Sequence, residues 1–416
     1  MEDGKFRKEL KQAFTPSSRF KEERYDLFKL VSPEKRLKKK QGSNPKPNSS
    51  NQKGLTIVRA PRSNPGSKSS TPKNSRINKS VNHRRFVSSG DKSNSSTGSK
   101  KLVQNSNARK FSMETSYLSP VVCKYSFLSK TGYIPGNTPK TNQDSYIAHI
   151  NFANQPDAYL FGVCDGHGFY GGEVSGFIKQ RLPVLLAQDP DILLNPRKAL
   201  TSCIHRCNIE LGQINLDIKF SGSTLIIVLI KGSTLYCANV GDSRALMGRQ
   251  IMDNTDKSVS GKKWMSIALS RDHKPDSKDE SERIYKSGGR VEAYQDENGN
   301  PAGPARVWLK NQDLPGLAMS RSMGDGVASS VGVICDPEIL EIRLVPEDKF
   351  IMIGSDGVFE FISNEELVRI IVPYYRIQDC EGTCDAIVRE ANKRWKREEE
   401  VIDDITAVCV FLDVNS

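Results

Sequence analysis

Tyr159-Leu160-Phe161-Gly162-Val163-Cys164 is an unbroken apolar run of strand length, and it stops at Asp165-Gly166-His167-Gly168. An apolar run of that length ending in a Gly-rich turn reads as a strand buried on both faces. The same grammar recurs along the chain. Leu235-Tyr236-Cys237-Ala238-Asn239-Val240 stops at Gly241-Asp242-Ser243-Arg244, and Phe350-Ile351-Met352-Ile353 stops at Gly354-Ser355-Asp356-Gly357. Asp403-Asp404 opens the run from Ile405 to Leu412, and Gly324-Asp325-Gly326 lies in a Gly-rich loop. A single Asp-Gly is ordinarily a turn. Several at the ends of apolar strands are able to converge on one sheet edge. Carboxylates gathered in that way repel one another unless a cation lies between them.

Working outward, strand-length runs are predicted at 121–129, 145–150, 158–164, 223–231, 234–240, 243–248, 265–269, 339–344, 349–354 and 404–412. Helical patterns cover 171–187, 196–218, 276–287 and 364–397, the last as two helices. Segments 251–263 and 295–304 are polar and are expected to be loops. No period of 20–50 residues repeats. Many antiparallel-looking strands with a few helices between them define an α+β layered domain.

The 416 residues carry a formal net charge of +12, distributed unevenly. Residues 1–110 hold 28 of the 61 Lys+Arg and 8 of the 49 Asp+Glu, a net of +20, which leaves −8 on residues 111–416. The chain as a whole is therefore not read as a basic nucleic-acid binder. Residues 1–30 mix charged and apolar residues, as a docking segment or short amphipathic helix would. Residues 31–110 are dominated by Ser, Asn, Lys, Pro and Gly. Such a stretch buries too little apolar surface to offset its ordering entropy, so a long disordered N-terminal tail over 1–112 is expected, followed by one catalytic-size domain over 113–416. The run Lys35-Arg36-Leu37-Lys38-Lys39-Lys40 reads as a solvated tail, a nuclear address or a contact for nucleic acid or another anionic surface.

No stretch of about 18 apolar residues occurs, so no membrane span is expected. Neither a secretory leader nor a myristoylation signal is read at Met1-Glu2-Asp3-Gly4-Lys5. The nine cysteines are odd in number and scattered, which suits reduced thiols and a cytoplasmic or nuclear location. Cys203/Cys207 and Cys380/Cys384 are i,i+4 pairs read as packed small hydrophobes, with metal binding as the alternative.

A carboxylate-only donor set selects a hard ion, Mg²⁺ or Mn²⁺, over Zn²⁺, and among the five histidines none has zinc-site spacing. Two such ions suit hydrolysis of a phosphate ester, because they acidify a water and neutralise charge on the transferred group. His167, two residues after Asp165, is the candidate general acid for the leaving oxygen. A covalent cysteine route has no candidate, since no His-Cys followed by five residues and then Arg is present.

The segments Asn142-Gln143-Asp144-Ser145, Asp165-Gly166-His167-Gly168, Ser221-Gly222-Ser223-Thr224, Gly241-Asp242-Ser243-Arg244-Ala245, Asp272-His273-Lys274-Pro275, Glu282-Arg283-Ile284 with Gly288-Gly289-Arg290-Val291, Ala318-Met319-Ser320-Arg321-Ser322-Met323-Gly324-Asp325, Ser355-Asp356-Gly357-Val358 and Asp403-Asp404-Ile405-Thr406 occur in this order. Together they resemble the metal-dependent Ser/Thr protein phosphatases of type 2C, the PPM family. The resemblance implies a sandwich of two antiparallel β-sheets flanked by helices, with a binuclear Mg²⁺/Mn²⁺ site at one end and phosphorylated proteins as substrates. It implies that Asp165 bridges both ions, that Gly166 offers its carbonyl, and that Asp356 and Asp403 complete the main ligand set. Asp242 matches the residue linked to a third, more weakly held ion, and His167 matches the general acid. Asp144, Asp325 and Asp404 are expected nearby, orienting bound water. The chain departs from the family at two places. Gln143 stands where many members have Glu, so its contact to an ion is expected to run through water. Pro139 followed by Lys140 stands where the family often has a phosphate-binding Arg, which leaves Lys140 as a candidate point charge. A monomer is expected. The competing readings are a catalytically weak pseudophosphatase that scaffolds partners, and a nucleic-acid binder acting through the basic tail.

Overall fold

The structure is a computed structural model and describes residues 121–136, 140–253 and 261–414. The expectations for residues 1–112, including the disordered tail and its basic run, lie outside the described residues, as does Pro139. The described residues fall in one unit, so every contact below is internal to it.

Two antiparallel sheets face each other. One has the order β1 (Val122–Lys130), β15 (Ile405–Leu412), β14 (Asp348–Gly354), β7 (Arg244–Asp253) and β8 (Gly261–Ala268). The other runs β12 (Met323–Gly324), β4 (Gly222–Ser223), β3 (Ala158–His167), β5 (Leu225–Lys231), β6 (Thr234–Val240) and β13 (Glu338–Arg343), with β2 (Asp144–Ile150) paired to β3. Helices α1 (Gly171–Gln188) and α2 (Pro196–Leu211) cover the outer face of the second sheet. Helices α6 (Asn364–Arg376) and α7 (Cys380–Glu398) cover the outer face of the first.

This layering explains why the central strands read as continuous apolar runs. On β3, Phe161 and Val163 point between the sheets to meet Ile351, Ile353, Val408 and Val410. Their neighbours Leu160 and Cys164 point the other way, against Val174, Ile178, Leu182 and Ile204 of the helices. On β15, Ala407, Cys409 and Phe411 meet Leu367, Ile371 and Ile387 of α6 and α7. Alternate side chains serve two cores, so no polar face remains on these strands. Cys203, Cys207, Cys380 and Cys384 are buried within the two outer cores. Among the described residues no helix is long and apolar enough to cross a membrane.

Several predicted boundaries change; the strand expected over 158–164 continues as β3 through Asp165 to His167, and that over 223–231 divides into β4 and β5. The pattern over 196–218 stops as helix at Leu211, where Gly212 takes the C-cap position. The polar segment 251–263 is cut short at both ends, because β7 runs to Asp253 and β8 starts at Gly261. The segment 295–304 is not a loop throughout. Asp296 Oδ1 accepts the backbone N–H groups of Asn298 and Asn300 at 2.9 and 2.8 Å, forming a tight turn. The turn joins β9 (Gly289–Gln295) to β10 (Pro301–Leu309), and β11 (Pro315–Leu317) completes a small third sheet. Its polar, half-exposed strands carry little apolar periodicity, so their sequence does not announce them. This sheet packs with α3 (Lys278–Lys286) and α4 (Gly326–Ser329) around Ile284, Val307, Ala328 and Val331.

Candidate metal and phosphate site

Strand direction brings the scattered aspartates to one edge. In the β2/β3 register Asp144 stands opposite Asp165. β5 is antiparallel to both β3 and β6, so Asp165 near the end of β3 and Asp242 just after β6 lie at the same edge. In the facing sheet Gly354 stands opposite both Ala407 and Arg244. Asp356 just after β14, Asp403 and Asp404 just before β15, and Asp242 just before β7 therefore meet there. Asp356 opens the short helix α5 (Asp356–Phe359).

The backbone around these carboxyls is tied across the sheets. Thr224 Oγ1 accepts the Asp165 N–H at 2.9 Å and lies 2.7 Å from Ser243 Oγ. Ser355 Oγ donates to Asp144 Oδ2 at 2.9 Å and accepts the Thr406 N–H at 3.1 Å. Asp404 accepts the N–H groups of Gly132 and Gln143 at 2.7 and 2.9 Å. Asp404, just before β15, thus ties together the chain just after β1 and just before β2. Gly357 allows a close approach, since a Cβ there would lie 1.9 Å from the Asp404 carbonyl oxygen.

The electrostatics are those of crowded acids. Burial, followed by the charges of Asp144, Asp356, Asp403 and Asp242, pushes the Asp165 carboxyl well above the usual carboxylate range. Burial and then Asp403 and Asp242 push Asp356 up in the same way, opposed by Lys274 and by a hydrogen bond with Asp165. Asp144 rises to about 7, with burial as the main cause and Asp403 and Asp404 adding to it against the Thr406 and Ser355 hydrogen bonds. One buried oxygen each of Asp144, Asp242 and Asp356 has no hydrogen-bond partner. A buried acceptor left unpaired costs about 1–3 kcal/mol. Three of them beside one another, in a pocket of mutually repelling acids, fit hard cations by donor chemistry and by charge. Among the described residues no group of three or more His, Cys, Asp or Glu side chains is arranged in this conformation so that it could hold a metal ion. Two ammonium groups balance part of the cluster's charge.

These groups belong to Lys140 and Lys274. Lys140, the candidate phosphate contact, is locked between Asp403 at 3.1 Å and Asp404 at 2.7 Å. Its side chain is only 15% exposed, so it braces the carboxylates instead of pointing free. Lys274 lies 2.5 Å from Asp242 Oδ2. Its segment was legible as Asp272-His273-Lys274-Pro275, but the contact joins residues 32 apart and has no local signal. Gln143 makes a contact within the protein as well. Its amide Nε2 donates to the Gly168 carbonyl at 2.8 Å, clamping the loop after β3.

His167 Nε2 lies 2.7 Å from Asp325 Oδ2, and Asp325 also accepts from Ser322 Oγ at 2.5 Å. Burial lowers the His167 pKa, but the charge and hydrogen bond of Asp325, helped by Asp242, more than offset it and leave it raised. Nδ1 is buried without a partner. The ring is held by Nε2, and its Nδ1 is enclosed without a partner.

Residues 137–397 match the family model of protein phosphatase 2C. The chain is 36% identical over 300 residues to "Probable protein phosphatase 2C 35" of Arabidopsis thaliana, covering 69% of this chain and 83% of that one. It is 35% identical over 288 residues to "Probable protein phosphatase 2C 72" of the same plant, covering 66% of this chain and 82% of that one. A crystal structure of serine-threonine phosphatase 2C from Toxoplasma gondii superposes with a TM-score of 0.60 at 20% identity, covering 71% of this chain and 96% of that one, which shows the shared fold. The chain belongs to the type 2C family of metal-dependent Ser/Thr protein phosphatases, the PPM family. It is an enzyme of the protein phosphatase class, with the layered sandwich expected from its sequence.

Proposed function

We propose that the chain hydrolyses phosphoserine and phosphothreonine in proteins at a binuclear Mg²⁺ or Mn²⁺ site held by Asp165, the Gly166 carbonyl, Asp356 and Asp403, with Asp242 serving a third ion. The observation that carries this reading is the buried cluster of repelling carboxyls with unpaired oxygens. Bound ions supply an acidified water and neutralise charge on the phosphoryl group. The residues of the chain do the rest. The carboxylates fix position, and the Thr224 and Ser355 hydrogen bonds hold the strand ends that carry them. Asp325 holds His167 through Nε2 and raises its pKa, which favours the protonated ring that donates to the departing serine oxygen.

The test is Mn²⁺-dependent turnover of p-nitrophenyl phosphate and of a phosphoserine peptide. Asp165→Asn is expected to lose more activity than the ~10–100-fold typical of an outer partner of a metal ligand. Full turnover in excess EDTA overturns the metal reading. No turnover by the wild type with Mn²⁺ favours the pseudophosphatase scaffold.

A further inference from the structure

The loop joining β3 to α1 carries an aromatic ring for which the reaction chemistry has no use. Phe169 is two residues beyond His167 and 75% exposed. Its recorded ring contact is an edge-on one to Tyr170, with centroids 4.7 Å apart. A single exposed phenylalanine is common on protein surfaces and means little by itself. What sets this one apart is the backbone beneath it. On one side the Gly168 carbonyl accepts the Gln143 amide at 2.8 Å. On the other, the Tyr170 N–H donates to Ser221 Oγ at 3.0 Å, and the Tyr170 carbonyl accepts the first helical N–H of α1, from Val174, at 3.0 Å.

Gly168 sits at φ +82°, and a Cβ there would lie 2.1 Å from the Phe220 carbonyl oxygen, so the turn is wedged against its neighbour. Both residues flanking Phe169 are pinned. The ring is presented to solvent from a braced turn, which lowers the ordering cost of packing a ligand against it. Two residues of extended chain span at most ~7 Å. The Cα of Phe169 therefore lies within ~7 Å of that of His167, about the span of two residues of a bound peptide.

We propose that Phe169 is a specificity-determining residue whose ring packs against an apolar side chain adjacent to the phosphorylated serine or threonine of the substrate. This rests on the phosphatase reading of the site. The ring carries no charge and no hydrogen-bonding group, so it selects for apolar area and not for an acidic neighbour. It takes no part in the bond-breaking step.

The test uses the full chain with Mn²⁺ and phosphoserine peptides that differ only in carrying Leu, Gly or Asp just before or just after the phosphoserine. The enzymes are wild type, Phe169→Ala and Phe169→Leu, with p-nitrophenyl phosphate as the reference substrate. The wild type is expected to favour a Leu peptide over its Gly counterpart by about tenfold in kcat/KM, the size a modest apolar contact gives. The preference should lie in KM rather than kcat. In Phe169→Ala the Leu/Gly ratio should fall to about one, and Phe169→Leu should restore most of it. A wild type indifferent to the neighbour, or a preference that survives in Phe169→Ala, overturns the proposal. So does a loss in Phe169→Ala that is equal for p-nitrophenyl phosphate and all peptides. A wild type inert toward every substrate overturns the hydrolase reading itself, and this inference with it.

Discussion

His167 illustrates how one side chain is prepared by its neighbours. Asp325 binds one ring nitrogen and raises the pKa, while Ser322 fixes the carboxylate from behind. Loss of a general acid ordinarily costs about 10²–10⁴-fold. His167→Gln is expected to lose that much in kcat on a phosphoserine peptide. The loss should be smaller on p-nitrophenyl phosphate, because nitrophenolate departs without a proton whereas a serine alkoxide does not. Equal losses on the two substrates would falsify the acid role. Asp325→Asn keeps the shape but removes the charge, and should cost the peptide reaction about 10–100-fold.

At the level of elements, the small sheet β9–β10–β11 is joined to the body through Glu280 of α3. This carboxylate is 1% exposed. It accepts from Arg283 at 2.8 Å, from Arg321 at 2.6 Å and from Ser320 at 2.5 Å. Burial alone would raise its pKa, but these hydrogen bonds win and hold it far below the usual range. Removing one partner of a buried charge cluster costs about 3–5 kcal/mol, so Glu280→Ala should lower the urea midpoint by a corresponding amount.

His273 also feels the charge of Arg321. Its Nδ1 accepts the Gly241 N–H at 3.1 Å and steadies the turn that bears Asp242. Burial first, and then the charge of Arg321, depress its pKa from 6.5 to about 4. A depressed histidine is neutral when folded and takes up a proton more readily when unfolded. Its contribution is therefore complete above pH 6.5 and is lost as the pH falls toward 4. Glu280, depressed from 4.5, adds a further loss below that value. Denaturation midpoints measured across this range should fall in that order. His273→Asn should flatten the upper part of the curve.

Across the whole molecule, a catalytic body of net charge −8 gathers its most crowded acids at one sheet edge. Divalent ions that bind there stabilise only the folded chain. At a hundred times its dissociation constant an ion adds about 2.7 kcal/mol, worth a few degrees of melting temperature in a domain of this size. Mn²⁺ should raise the melting temperature of the wild type by that amount, EDTA should reverse the shift, and Asp165→Asn should abolish most of it. This thermal readout does not depend on turnover. A wild type whose melting is indifferent to Mn²⁺ would count against the carboxylate site even if some phosphatase activity were found.

The sequence by itself determined the strands of the sandwich, the helices covering it and the acids at the strand ends, because burial on both faces leaves an apolar run that stops abruptly at Gly and Asp. It also determined the family, through an ordered series of short motifs. Tertiary structure decided what local pattern does not encode. The β9–β10 hairpin pairs strands too polar to declare themselves, and α2 stops at Gly212 within a pattern that continues. The partners of Lys140, Lys274 and Gln143 lie 263, 32 and 25 residues away from them in the chain. A side chain's charge is written in its residue type, but its counter-charge is set by which strands lie side by side.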